Sequence, residues 1–357
     1  MFYNVNKEYF ETEEARYEIN IGLLQVEVTN KCNYNCKHCR EGNDTLQTEI
    51  NPKYIEKTID FIRTFNPSFN EVTLSGGEPF ISENIFIILK MLKYKGISKI
   101  SITTNASLLN NTILERLEEF SFQKLNLSIS MEYINKKKFN EFRGNKNAYD
   151  NVCNALKLIK KYNNISSSLR VSITKDNISI NEMKEFVNFA IDNNCDMVKF
   201  MPILPVGKAL KNNNFIGKKD DLNKIKKYFN LINKEFSNLI RIETNDPLLA
   251  YRQNIEECNN YTISGCGAGI LTFNLMANGD LTPCSLLPNI VICNVEHLNY
   301  KEIIEKYKNS KLIKCFIEKN FSGKCRKCNF KFQCGGCRAR TLGINNDILG
   351  SDPLCLN

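Results

Sequence analysis

Six short apolar runs alternate with amphipathic segments over the first two-thirds of this 357-residue chain, and that alternation limits the fold more than any other feature. The expected strands are Leu23–Thr29, Glu71–Leu74, Lys99–Thr103, Lys124–Ser130, Leu169–Thr174 and Met197–Pro202. Helical patterns over Pro52–Phe65, Asn84–Lys95, Asn111–Phe120, Asn147–Tyr162 and Asn181–Asn194 separate them. Pro52 suits a first helical turn and Gly96 a helix C-terminus. Strands joined through helices run parallel, so the expected class is α/β with a parallel sheet. Periodicity does not separate a doubly wound sheet from a barrel.

The pattern changes after about Asp246, where helices thin out and Cys becomes dense. Ile270–Met276 and Leu281–Leu287 flank Ala277-Asn278-Gly279-Asp280, and Asn-Gly between two apolar runs signals a β-hairpin. The expected organisation is an arm over 1–20, a core over 21–240 and a small Cys-rich region over 241–357.

Fifteen Cys is an odd number in a chain with no secretory signal, which disfavours a disulfide framework and favours metal or redox chemistry in a reducing cytoplasm. The chain has only two His, His38 and His297, far apart in sequence, and no Gly-x-Ser-x-Gly turn. No apolar run is long enough to cross a bilayer; the best, Ile85–Leu92, is broken by Lys90, so no membrane partner is expected. The net charge of +9 comes with scattered Lys. It reads as a solvated surface, or as attraction to an anionic substrate or acidic peptide. No aromatic-and-basic stripe accompanies it, so nucleic acid is not an expected partner.

Cys32-Asn33-Tyr34-Asn35-Cys36-Lys37-His38-Cys39 begins just after the first expected strand, at the sheet edge where α/β proteins keep their chemistry. Three thiolates so closely spaced can hold three corners of a cubane cluster and leave the fourth iron open. On these residues alone a structural zinc site with His38 as fourth ligand is the alternative. A second element, Gly76-Gly77-Glu78-Pro79, follows the second strand, and its two Gly let backbone approach a neighbour or ligand closely.

A CxxxCxxC loop followed one strand later by Gly-Gly-Glu-Pro resembles the radical S-adenosylmethionine (SAM) superfamily. The resemblance covers roughly 21–215 and implies a partial (β/α)6 TIM-like barrel. It implies a [4Fe–4S] cluster on Cys32, Cys36 and Cys39 whose open iron binds SAM. The Gly76, Gly77, Glu78 and Pro79 turn would contact the methionine amino group. One-electron reduction of SAM would then give methionine and a 5′-deoxyadenosyl radical that abstracts a substrate hydrogen. The same resemblance places Asn105, Ser130 and Arg143 near SAM, Arg143 on its carboxylate, and His38 on the adenine side. A flavodoxin- or ferredoxin-type protein would donate the electron.

Downstream, Cys266, Gly279 and Cys284 frame the expected hairpin, followed by Cys325-x2-Cys328-x5-Cys334-x2-Cys337 and a terminal Cys355. A structural zinc site is the alternative, but the five-residue gap is short for a zinc ribbon. The array resembles the SPASM domain over about 258–357, which implies two auxiliary [4Fe–4S] clusters. Carried over, Cys266, Cys284 and Cys337 belong to the first, with Cys258 as fourth ligand and Cys315 as runner-up. Cys325, Cys328, Cys334 and Cys355 belong to the second. Cys334–Arg340 and Asp352-Pro353-Leu354-Cys355 are similar to the branch holding haem-synthesis enzymes and the mycofactocin and pyrroloquinoline-quinone peptide maturases. Ser285 stands where sulfatase maturases have Asp, which argues against that activity.

The leading expectation is an enzyme that crosslinks, decarboxylates or epimerises a ribosomally made peptide precursor. The alternatives are tetrapyrrole side-chain modification and, more distantly, a non-catalytic iron–sulfur or zinc protein. About 20 residues precede the first strand, too few for a leader-binding domain, so a peptide substrate is expected to need a separate leader-binding protein or to dock directly on the barrel. Three clusters predict on the order of 12 iron atoms per chain after anaerobic reconstitution. Metal analysis checks this, and stoichiometric zinc with little iron would refute it.

Overall fold

The computed structural model describes residues 8–13, 15–40, 47–213, 215–250 and 265–357. Its centre is a ten-stranded sheet. Strands β1 (Leu23–Thr29), β2 (Glu71–Gly76), β3 (Lys99–Thr104), β4 (Lys124–Ser130), β5 (Ile165–Ile173), β6 (Met197–Pro202) and β7 (Arg241–Glu243) pair in sequence order, all parallel. The six expected strands are all present. β5 begins at Ile165 rather than Leu169, because Ser166, Ser167 and Ser168 carry no apolar alternation yet pair with β4. β7 is too short to leave a periodic signal.

The hairpin is part of the same sheet. β8 (Thr272–Leu275) pairs parallel with β1, while β9 (Asp280–Thr282) and β10 (Cys293–Asn294) continue antiparallel beyond it. The sheet ends at β7 and β10, which do not pair with each other, so the barrel is partial.

Register explains the shape. One face carries Val26, Leu74, Ile102, Leu127 and Leu169, all fully buried beneath helices. The other carries Glu27 and Ser75, paired across one step, and Ser130, Arg170 and Lys199, paired across two more. Parallel strands buried on both sides usually read as unbroken apolar runs. Here they alternate, because the inner face lines a polar interior.

Helices α1 (Pro52–Phe65), α2 (Ile85–Tyr94), α3 (Asn111–Glu119), α4 (Lys136–Arg143), α5 (Ala148–Ile159), α6 (Ile180–Asp192) and α7 (Lys219–Phe236) follow the strands. Asn51 caps α1, its side chain accepting from Lys53 N at 3.0 Å, and Pro52 stands in the first turn. The Cys-rich region is more helical than its sequence pattern implies: it adds α8 (Tyr300–Lys308), α9 (Lys311–Glu318) and α10 (Arg338–Asn345).

An aromatic cluster joins the two regions. The Tyr307 ring from α8 packs edge-on against Phe10, Phe61, Phe65 and Phe273 at centroid distances of 5.3–5.5 Å. Its hydroxyl donates to the Gly269 carbonyl at 3.0 Å. Phe61 is fully buried at this junction. Phe61→Ala is expected to cost about 3–5 kcal/mol through lost burial and the cavity left behind. Denaturant unfolding under anaerobic conditions measures it, and a loss under about 1 kcal/mol would show that the cluster is not where the two regions are held together.

Candidate active site and auxiliary cysteine sites

The loop that leaves β1 carries Cys32, Cys36 and Cys39, and backbone bonds fix it from three directions. Gly77 N donates to Thr29 O at 2.7 Å and Glu78 N to Lys31 O at 2.8 Å, both from the end of β2. Lys37 N donates to Phe142 O at 2.9 Å in α4, and Lys208 N, beyond β6, donates to Cys39 O at 2.8 Å. Such close backbone contact needs glycine. A Cβ on Gly77 would stand 2.1 Å from the Lys31 carbonyl oxygen, and one on Gly207 would stand 2.4 Å from that of Arg40.

A cavity of about 190 Å³ opens beside this loop. Cys32, Cys36, Cys39, His38, Gly76, Gly77, Asn105, Ser130 and Arg143 all line it. Glu78 and Pro79 do not. Glu78 is fully buried behind the turn, where it accepts from Thr104 Oγ1 and Asn105 N, each at 2.8 Å. Burial pushes its carboxyl up to about 7 against those bonds. It holds the end of β3, and Asn105 in turn donates to Asn33 of the cysteine loop at 2.9 Å.

Arg143 is buried, and its fork is engaged within the protein. Its Nε lies 2.7 Å from Glu132 Oε2, Nη2 donates to Oε1 at 3.0 Å, and Nη1 reaches Cys36 Sγ at 3.4 Å. Glu132 is fully buried, and burial raises its carboxyl while Arg143 opposes that shift. His38 stacks on Phe142 at 4.8 Å, with Nε2 3.5 Å from Glu132 Oε1 and Nδ1 unpartnered. Burial and the nearby guanidiniums hold the imidazole well below its usual range, so it is neutral.

Sequence reasoning did not single out Glu132, Arg40 or Arg170. Glu132 stands two residues beyond Ser130, at the cavity end of β4. Arg170 is a charged residue within an apolar strand, which was the available signal. Arg40 bridges the two regions, 3.0 Å from Glu27 Oε1 and within 3.5 Å of the Ser285 carbonyl.

The donor set fits an iron–sulfur cluster. Burial pushes Cys32 up to about 11 and raises Cys36 as well, so both are neutral thiols until a metal draws off their protons. Among the described residues no three His, Cys, Asp or Glu side chains converge on one ion position. A cluster asks instead for one thiolate at each of several irons.

The downstream cysteines form two groups. Cys325, Cys328, Cys334 and Cys355 line a second cavity, of about 330 Å³. Cys266 is an electrostatic neighbour of both Cys284 and Cys337, whose thiols burial also raises. Cys258 lies outside the described residues. Cys315 sits on α9, where burial and Glu318 raise its thiol. Arg340 braces both groups: it is fully buried, with Nη1 2.6 Å from Asp246 Oδ2 and Nη2 2.9 Å from Asp352 Oδ2. Asp352 Oδ2 accepts from Cys337 N at 2.7 Å and Oδ1 from Leu354 N at 3.0 Å, so one carboxylate sets the turns before Cys337 and Cys355.

The Radical SAM superfamily model matches residues 26–190. The antilisterial bacteriocin subtilosin biosynthesis protein AlbA of Bacillus subtilis is 25% identical over 324 residues, 89% of this chain and 67% of AlbA. The AdoMet-dependent heme synthase of Methanosarcina barkeri is 24% identical over 348 residues, 94% of this chain and 96% of the synthase. Crystal structures of Streptococcus suis SuiB share the fold. SuiB bound to S-adenosylmethionine gives a TM-score of 0.72 at 19% identity, covering 95% of this chain and 78% of SuiB. SuiB bound to precursor peptide SuiA also gives 0.72, at 18% identity, covering 95% and 76%.

Removing one partner of the Glu132–Arg143 pair leaves a buried charge unopposed. Arg143→Ala is expected to cost about 3–5 kcal/mol of stability. Adding Glu132→Gln to it should recover part of that loss. Denaturant unfolding of the two single variants and the double variant measures the coupling, and simple additivity would mean that the pair does not hold the site.

Proposed function

We infer that this chain, a radical SAM enzyme whose domain of that family spans residues 26–190, modifies a ribosomally made peptide. One observation carries the peptide reading. An open cleft of about 720 Å³ shares Arg40, Val206 and Leu286 with the central cavity and runs on to Ala339, Leu342 and Gly343 beside Cys337. Arg40, Lys208 and Lys211 line it, and among the described residues no carboxylate does. Its apolar side chains and positive charge suit an extended, acidic segment. The bacteriocin-biosynthesis relative supports the same reading.

In this proposal Cys32, Cys36 and Cys39 hold the SAM-binding cluster. When bound, the cluster and SAM supply the 5′-deoxyadenosyl radical that takes a hydrogen atom from substrate. The chain's own residues position those groups. Gly76 and Gly77 leave room beside the cysteine loop. Asn105 and Ser130 offer polar groups to SAM, and neutral His38 lies beside it. Arg143, held by Glu132, reaches Cys36 Sγ directly and orients it, and this engaged fork makes it a positioning residue more than a direct partner of SAM's carboxylate. Cys266, Cys284 and Cys337, with Cys258, would hold one auxiliary cluster, and Cys325, Cys328, Cys334 and Cys355 the other. With four thiolates each, both would relay electrons without binding substrate. A flavodoxin- or ferredoxin-type donor in the cytoplasm would supply the reducing electron. Among the described residues no helix is long and apolar enough to cross a membrane.

The heme synthase relative, which matches nearly its whole length, supports a second reading, since propionate groups on a tetrapyrrole would also suit the basic cleft. Reconstituted enzyme with SAM and a low-potential reductant separates the two. A precursor peptide encoded next to this chain should raise 5′-deoxyadenosine formation and be covalently changed, as read by mass spectrometry and chiral amino-acid analysis. Turnover raised by a propionate-bearing tetrapyrrole and not by the peptide would overturn the peptide reading. Replacing Cys32, Cys36 and Cys39 together with Ala should abolish SAM cleavage while keeping roughly two-thirds of the iron. Cleavage that survives would refute the assignment.

A further inference from the structure

Two buried cations sit against the Cys334-Gly335-Gly336-Cys337 turn, and neither makes an ion pair with a carboxylate among the described residues. Arg338 is 1% exposed. Its Nη1 donates to the carbonyls of Ile348 at 3.0 Å and Gly350 at 2.8 Å, and its guanidinium lies 4.2 Å from the Phe321 ring centroid. Its Nε and Nη2 have no hydrogen-bond partner among the described residues. Nη2 is pressed against the turn, 2.8 Å from where a Cβ on Gly336 would stand. Lys319 is 2% exposed and makes no ion pair among the described residues. A Cβ on Gly335 would stand 3.5 Å from its Nζ. Burial pulls its ammonium down to about 8 and Arg338 adds to that, while the sulfurs of Cys266 and Cys334, one from each expected auxiliary group, oppose it.

The contrast with Arg340 is informative. Arg340 is as deeply buried, but two carboxylates neutralise it. A guanidinium does not shed its proton in a protein, and burying one without a counter-ion is costly. Arg338 and Lys319 are therefore placed for an anion that no described carboxylate provides. Four thiolates around a [4Fe–4S] core in its oxidised state carry a net charge of about −2, and one more negative charge after one-electron reduction. A buried cation beside such a group favours the more negative, reduced state.

We propose that Arg338 and Lys319 are built-in countercations of the auxiliary clusters, with Lys319 shared between the two, and that they hold the cluster reduction potentials up. This rests on the reading that the downstream cysteines bind clusters, and it gives those clusters a direction: they are set to accept electrons.

The test is an EPR-monitored redox titration of full-length reconstituted protein in which Cys32, Cys36 and Cys39 are replaced by Ala, so that only auxiliary clusters report. Iron per chain is measured in every variant. Lys319→Met should lower the potentials of both clusters, each by at least a tenfold change in the reduction equilibrium, which is about 59 mV for one electron. Arg338→Met should lower at least one, and Arg338→Lys, which keeps the charge, should stay near the parent. Full iron with unmoved potentials in both Met variants would overturn the proposal. If Lys319→Met loses iron, Lys319→Arg must restore both iron and potentials, and failure to do so likewise overturns it. A parent protein with no auxiliary iron would instead refute the cluster reading from which the proposal starts.

Discussion

Everything at the active site depends on how the loop from Thr29 to Arg40 is held. It has little regular structure of its own. Main-chain bonds from the end of β2, from α4 and from the segment after β6 fix it. These contacts join backbone to backbone, so they are insensitive to most side chains but strict about glycine. A methyl group on Gly77 or Gly207 would overlap a carbonyl oxygen of the loop. The sheet is the frame, and the three cysteines are placed by the ends of strands far from them in sequence.

Charge in the interior follows one rule with informative exceptions. Glu27 meets Arg40, Glu132 meets Arg143, and Arg340 meets Asp246 and Asp352. Each pair ties together segments distant along the chain, and each would be costly to break from one side. Among the described residues Arg338 is a buried guanidinium with no carboxylate ion pair, and its Nη2 lies against the Gly336 turn.

The Cys-rich region is not a separate appendage. Its hairpin extends the barrel sheet through β8 and β1, Tyr307 packs into aromatic side chains of α1, and Arg40 reaches the carbonyl of Ser285. The cleft between the two regions is consequently walled on one side by the cysteine loop and on the other by α10. A substrate lying there would be near both kinds of cysteine site at once.

The strand–helix alternation, the two cysteine arrays and the Gly-Gly-Glu-Pro turn were all legible in the amino-acid sequence. Those signals are local: an apolar period, a spacing between thiols, a glycine pair. It also carried the likeness from which the ligand sets were read, and Cys325, Cys328, Cys334 and Cys355 do line one cavity. It did not tell that Glu78 is buried behind its turn, that Arg143 spends its fork on Glu132, or that the hairpin joins the barrel sheet. Nor did it separate Arg338 from Arg340, two residues apart on one helix. Each of those facts is a pairing across 11 or more residues for Arg143, 26 for Glu78, 94 for Arg340 and about 250 for β8 with β1. Only folding brings such partners together, because whether a charge is neutralised depends on what the surrounding elements place beside it.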